Sequence, residues 1–414
     1  PENAMSISPS WLLRLALLAL AASGPGTRLF ADGGPGGARH AFPNVPPDYF
    51  REEPNPPAFW VTTIEGVNGF LDQHIRRGTV EEIGRSAGGR PIRAVFYGQP
   101  RKGKGTTTFS GSLGAHRLQA YYGPDFDKRV YLVMAAVHGG EFEGIAGLVN
   151  LLSVLESGVD LRGRAWPALT AATAQIDRLI VIPIVNMDGR SRIPLRMEAF
   201  RGTDGFIPEY LCTGGRLDGK LIGWPAVKAF IPLDFSQVQF PGGYPNDHGV
   251  NIMHDDFFGQ CQPETRALLD LTARERPDLI LNLHTGAGAQ DYYTRMHTPV
   301  MEEALRPAFE GLYRSVHTAL VRAKMQGSDD LSVEADPKRT QGFPYNLDTA
   351  LDYNCGALSL IVEFPSHAYA GHNQRGEVVR HTADQLVDEE LLVQQESIGY
   401  LARAGGRARW ANEK

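Results

Sequence analysis

Short apolar runs and longer amphipathic stretches alternate along the chain, and the two periods separate well enough to assign elements. Residues 130–137, 179–185, 278–283 and 358–362 are rich in Val, Ile and Leu and are bounded by Gly, Pro or polar residues. Runs of this length predict strands buried on both faces, the kind found in parallel sheets covered by helices. Apolar residues at helical spacing predict helices over 63–71, 145–156, 264–275, 301–323 and 384–404, with Pro263 suited to opening the third. Residues 83–98 read as two strands joined by a turn at Gly88 and Gly89, and a polar segment, 101–127, leads into the run that ends at His138. Between Arg190 and Asp256 no period is sustained, and a loop region that long inside a compact domain is usually functional. The pattern predicts an α/β fold: three layers, α/β/α, around a central mixed, mostly parallel sheet.

Composition sets bounds on this picture. A chain of 414 residues with 42% hydrophobic content can bury a sizeable core, and a net charge of -6 without a basic stripe argues against a nucleic-acid partner. Residues 11–23 form an apolar stretch with one charge, Arg14, and break at Gly24, Pro25 and Gly26. That length suits the core of a signal peptide better than a membrane span. The expectation is therefore a secreted or periplasmic protein with no stable membrane partner once the signal is removed, a retained membrane anchor being the alternative. The boundaries expected are 1–31 for signal peptide and leader, 32–57 for a linker or N-terminal arm, 58–405 for the main α/β domain and 406–414 for a C-terminal tail. Cys212, Cys261 and Cys355 cannot all pair within one chain. One bridge with one free thiol is open to them, and three small buried hydrophobes is the plainer reading.

The chemistry sits where the strands stop. The four buried runs end on His138-Gly-Gly-Glu141, on Asn186-Met-Asp188-Gly189, on His284 and on Glu363. In open α/β sheets, ligands bind beyond the carboxyl ends of the strands, so residues distant in sequence are brought to one edge. A hydrolytic zinc site needs three protein ligands and an open position, and His138, Glu141 and His284 make a two-His, one-Glu set for one zinc per chain. Gly139 and Gly140 are expected to let the backbone bend closely around the ion. An activated water also needs a base, and Glu363, closing a buried run where a carboxylate is otherwise costly, is the candidate. For the developing oxyanion an arginine is expected among Arg190, Arg192, Arg196 and Arg201, which follow Asn186. Any one of these signals occurs by chance; the four together do not easily do so.

At this point the chain resembles the zinc metallocarboxypeptidases, the carboxypeptidase A-like peptidases, from about Trp60 to Ala404. Residues 81–98 resemble the family's entry segment, His138 and Glu141 match its first two zinc ligands, and Asn186 to Gly189 resembles its N-P-D-G turn. His284 matches the third ligand and Glu363 the catalytic glutamate. The resemblance implies a zinc-dependent hydrolase of peptide bonds, with Arg201, fifteen residues after Asn186, polarising the carbonyl and Arg196 as the fallback. It also implies a tyrosine that closes over substrate, for which Tyr345 is the candidate.

One departure bears on substrate. Where the family has an N-R-N segment that grips a free C-terminal carboxylate, this chain has Gly249-Val-Asn-Ile-Met-His254-Asp255-Asp256. Imidazole cannot make the bidentate contact of a guanidinium, and the two acids repel a carboxylate. His254 and Asp255 are thus expected substrate contacts, for a peptide whose terminus is modified, branched, amidated or cationic; a capping role is the plainer account of the two acids. A zinc-dependent deacylase of N-acyl amino acids, resembling aspartoacylase, and a non-catalytic binding protein on the same scaffold are the alternatives.

Overall fold

A computed structural model of the chain describes residues 42–287, 295–297, 300–325, 345–372 and 376–410, the side chains of Ala287 and Arg295 aside. The expected leader, residues 1–31, lies outside them. The main sheet is built from β1 (Thr79–Arg85), β2 (Pro91–Gly98), β3 (Val130–Ala135), β4 (Arg178–Ile182), β5 (Leu279–Ala287), β6 (Arg295–His297) and β7 (Leu358–Pro365). Their spatial order is β1-β2-β4-β3-β5-β7-β6. The four central strands, β4, β3, β5 and β7, are mutually parallel, while β1, β2 and β6 run antiparallel at the two edges. This is the mixed, mostly parallel sheet that the buried runs predicted. Every residue of β3 and β4 is buried, which explains why these strands are apolar throughout rather than alternating.

Among the described residues, the helices of eight residues or more are α1 (Ile64–His74), α2 (Glu143–Ser157), α3 (Phe206–Thr213), α4 (Pro263–Glu275), α5 (Arg306–Arg322), α6 (Leu347–Cys355) and α7 (Ala383–Ala404). They fall in two packed groups: α7 packs on α2 and α5, and α4 packs on β1 and α6. Five of them lie where the helical spacing put them. The exceptions are α3 and α6, which span about two turns each and are too short to show a period. Asn346 caps α6 through the backbone N–H groups of Asp348 and Thr349, a start signal that a longer apolar stripe would have confirmed.

The N-terminal arm lies against the aperiodic region. Phe42 and Phe50 pack edge-on to Phe240, Tyr49 packs on Tyr210, and the Glu53 N–H donates to the Met197 carbonyl. At the opposite chain end, Arg407 is buried: its N–H donates to Asp278, and its guanidinium reaches Glu302 and the Gly356 carbonyl. Asp278 also accepts from Arg101 and from the Val130 N–H. One buried carboxylate thereby fixes the starts of β3 and β5 together, which sets the level at which both strands end. Among the described residues the three cysteines are unbridged, and no helix is long and apolar enough to cross a membrane.

Candidate active site

The strand ends converge. Beyond β3, Ala136 takes a left-handed backbone conformation with φ of 53°, an uncommon state for a residue with a side chain, and the chain swings into His138. The two glycines that follow serve packing, not curvature around an ion. A Cβ on Gly139 would lie 2.0 Å from the Arg190 nitrogen and 2.2 Å from the Gly189 carbonyl carbon, so only glycine lets the turn after Asn186 press this close. That turn is held by Asn186, which accepts from the Gly189 N–H and donates to the Gly243 and Tyr244 carbonyls. Asp188 accepts from the Gly88, Asp247 and Arg90 donors and from Ser86, tying the β1–β2 turn to the same edge. Both residues of the Asn-Met-Asp turn are thus structural. Through Asn186 the Tyr244 ring is set flat on His138, 3.5 Å between centroids and 8° between planes.

His138, Glu141 and His284 are buried together, and one candidate ligand atom from each lies within 4.8 Å of the other two. The two imidazoles face each other through Nδ1 at 3.2 Å, and Glu141 reaches both, Oε1 to His138 Nδ1 at 2.8 Å and Oε2 to His284 Nδ1 at 2.9 Å. Two ring nitrogens this close need a hydrogen or a cation between them, since two bare lone pairs would repel. The donor set fits zinc: ligands about 2.0–2.1 Å from a tetrahedral ion sit roughly 3.3 Å apart, and opening the two oxygen contacts by about 0.5 Å completes that spacing. Burial alone pushes the Glu141 carboxyl up, but the two imidazoles against it bring it far below the ordinary carboxylate range. Burial lowers His138, whereas at His284 the same burial is overridden by Glu141 and the group is raised.

Glu363 pairs with His284 across the parallel β5–β7 ladder, so both stand at one level of the sheet edge. Gly286 makes room for it: a Cβ there would meet Glu363 Oε2 at 2.3 Å and Cδ at 2.7 Å. Metal donors and Glu363 open into one cavity of about 340 Å³. It is lined also by His254, His297, Trp224, Tyr244 and Tyr369 and by three carboxylates that the strand-end pattern did not single out, Glu143, Glu198 and Glu209. Among the described residues no lysine or arginine lines it.

The remaining expected site residues lie elsewhere. Arg201 points to the N-terminal arm, donating from Nη1 to the Asp48 carboxylate at 2.8 Å and from Nη2 to the Asp48 carbonyl at 2.5 Å. Arg196 donates to the Trp60 and Pro57 carbonyls. Neither lines the cavity, because the arm and the segment leading into α1 hold both guanidiniums, although Arg201 Nε is left without a partner among the described residues. Asp255 is buried and caps its own loop, accepting from the Asp256 and Gln262 N–H groups, which is the plainer account of it. Tyr345 packs on Phe257 and Phe258 and is not part of the cavity wall. His254 does line the wall; burial, then His138, then Lys228 depress it to about 4, so it is neutral near pH 7.

Glu143 and His367 were not foreseen as a pair. Glu143 accepts from His367 Nδ1 at 2.6 Å and from Thr285 Oγ1 at 2.7 Å, while the neighbouring Thr285 N–H donates to Glu141. A readable signal existed: Glu143 extends the H-x-x-E motif by two residues. Nothing local marks His367, Glu198 or Glu209, which reach the cavity only through tertiary folding.

Fold and donor set first define a class, an α/β scaffold with a buried two-histidine, one-carboxylate centre at the carboxyl edge of its sheet. The chain belongs to the zinc carboxypeptidase family, whose model matches residues 67–328, and is accordingly a zinc hydrolase of metallocarboxypeptidase type. Glu363 lies beyond the matched stretch. No curated protein matches the chain. Among solved structures it is similar to a metallo-carboxypeptidase from Burkholderia cenocepacia (15% identity, 81% of this chain and 68% of that one, TM-score 0.48). It is similar also to one from Pseudomonas aeruginosa (13% identity, 82% and 68%, TM-score 0.46) and to thrombin activatable fibrinolysis inhibitor (10% identity, 86% and 82%, TM-score 0.49).

Proposed function

We propose that this protein hydrolyses peptide bonds with one zinc ion held by His138, Glu141 and His284, and with Glu363 as general base. The convergence of two Nδ1 atoms and one carboxylate within 4.8 Å, with Glu363 in register beside His284, carries the reading. When bound, zinc supplies Lewis acidity to a carbonyl and to water. Glu363 takes a proton from the attacking water and returns it to the leaving amine, a task for which its position on a rigid strand is suited. Tyr244 keeps the His138 ring in plane, and Thr285 fixes the Glu141 carboxylate from the backbone. With Arg201 and Arg196 engaged elsewhere, the neutral His254 is left as the donor toward substrate on the cavity wall.

The charge of the wall also separates the candidate substrates. With no lysine or arginine among the described lining residues, the wall offers no guanidinium or ammonium to grip a free carboxylate beside the reacting bond. That weighs against N-acyl amino acids and against a conventionally gripped peptide C-terminus, and for a peptide whose terminus is masked or lies away from the centre. The test is Glu363→Gln: zinc content should stay near one per chain while turnover of a peptide substrate falls by about 10³-fold or more. Near wild-type turnover in that variant would remove Glu363 from the base role.

A further inference from the structure

Four of the five cavity carboxylates have partners. Glu141 holds two imidazoles, Glu143 holds His367, Glu209 takes the Trp224 N–H and Thr213, and Glu363 is engaged as well. Glu198 differs. It is 4% exposed, it lines the cavity, and its Oε1 is sealed from solvent with no hydrogen-bond partner among the described residues. A buried carboxylate without a donor costs several kcal/mol in general, and such groups are normally paired. Arg201 lies within electrostatic reach but is committed to Asp48, and His367 is committed to Glu143.

Three acids, Glu143, Glu198 and Glu209, share this part of the wall, with His367 and Arg201 acting on Glu198 electrostatically. The Cys212 thiol is raised by burial and then by Glu141, with Glu209, Glu198 and Glu143 following, and the Tyr369 hydroxyl by burial, then Cys212, then the same three acids. Burial pushes Glu198 itself up to about 8 against the pull of His367 and Arg201, so near pH 7 it holds a proton that an arriving cation would displace. Its placement is imposed by the fold: the Glu52–Glu198 bridge pairs this residue with the arm.

We propose that Glu198, flanked by Glu209 and Tyr369, forms a subsite for an ammonium group carried by the substrate, either a lysine-type side chain or a free amino terminus. The compact ammonium offers three N–H donors to an acid-lined wall, and it supplies a hydrogen-bond donor to the Glu198 carboxyl, whose Oε1 has none among the described residues. This deepens the peptidase reading above and rests on it for the word substrate.

The test uses the zinc-loaded protein and matched peptides in which a lysine is exchanged for norleucine at each position around the cut, and in which the amino terminus is free or acetylated. Wild type should favour one cationic member by at least about tenfold in kcat/KM, the scale of one charge-assisted contact, and the position that gains identifies which source of ammonium is read. In Glu198→Gln, and to a smaller extent in Glu209→Gln, that ratio should collapse toward one. Melting temperature and zinc content confirm that each variant is folded and loaded. A wild-type ratio near one at every position overturns the subsite, as does a ratio that survives in Glu198→Gln. If zinc-loaded wild type cleaves no peptide, the peptidase reading fails separately, and butylamine titrated by calorimetry decides the subsite. Binding to wild type that Glu198→Gln loses sustains it, and no binding to wild type overturns it.

Discussion

Replacing Gly286 with alanine probes the general base without touching a metal donor. The added Cβ would stand 2.3 Å from Glu363 Oε2, 2.7 Å from Cδ and 3.1 Å from Oε1, and Cβ contacts under 3.0 Å essentially do not occur. One of the two must move, and the mobile end of Glu363 yields more cheaply than the β5 backbone. Restoring an ordinary carbon–oxygen contact takes a retreat of about 1 Å by the carboxylate. A displacement of that size in a reacting group costs on the order of 10²-fold in rate, close to 2.7 kcal/mol of barrier. Stability should change by under about 1 kcal/mol, since the clash is relieved at a side-chain terminus and alanine reduces the freedom of the unfolded chain. The assay is kcat for a cleaved peptide together with zinc content and a melting curve, for Gly286→Ala, Glu363→Gln and the double variant. The expected pattern is a hundredfold loss in the first with zinc retained, and little further loss in the double variant relative to Glu363→Gln, because both act through one carboxylate. A Gly286→Ala enzyme within about twofold of wild type would refute the claim that Glu363 acts from this position.

Other outcomes rest on the same geometry. Stripping zinc with a chelator should abolish hydrolysis and lower the melting temperature, and restored zinc should recover both. Burial lowers His284, but Glu141 outweighs it and raises the group to about 9, so the metal-free triad holds a proton that zinc must displace. Affinity should then strengthen about tenfold per pH unit from 6 to 8, with close to one proton released in calorimetry run in buffers of different ionisation enthalpy. Glu198, pushed by burial to about 8 from an ordinary value of 4.5, contributes stability that is full below pH 4.5 and is lost as pH rises through 8. Glu198→Gln should therefore melt higher than wild type at pH 7, by an amount equivalent to about 3 kcal/mol at most, and the gap should close by pH 4.5; a gap that does not change with pH would contradict the burial argument. Asp48→Ala should release Arg201 toward Glu198 and weaken any preference for cationic peptides, read as the same kcat/KM ratio; an undiminished ratio would show that the arm does not set the charge of the cavity.

What could be read from the sequence was whatever a single strand end carries. His138, Glu141, His284 and Glu363 each close a buried run, and the order of a parallel sheet brings such ends to one edge without any need to know the loops between them. The five long helices were legible for the same reason, a period sustained over three or more turns. The arginines were not legible, because sequence distance from Asn186 says nothing about which way a side chain leaves a loop. Arg201 and Arg196 are oriented by Asp48, Pro57 and Trp60, residues 136 to 153 positions away whose role depends on the arm lying down against residues 196–201. Asp255 shows the converse: an acid in a functional-looking segment whose hydrogen bonds are both spent on its own loop.

The arm therefore does more than cover surface. A guanidinium in the cavity would serve an oxyanion or a carboxylate terminus; the same group held at Asp48 does not line the cavity and acts on Glu198 only electrostatically. One ion pair at the arm, 60% exposed on the aspartate side and 6% on the arginine side, thus bears on the sign of the potential that an incoming peptide meets. The exposed aspartate is worth little to stability, since such a pair is screened by solvent and salt. Its effect on selectivity is larger than its effect on folding, because Arg201 is buried on its own side and any reorientation is felt across a low-dielectric wall rather than through water. On the proposed reading, the three candidate donors would set the reaction on this scaffold, while the direction taken by Arg201 would bear on the charge of what is brought to it.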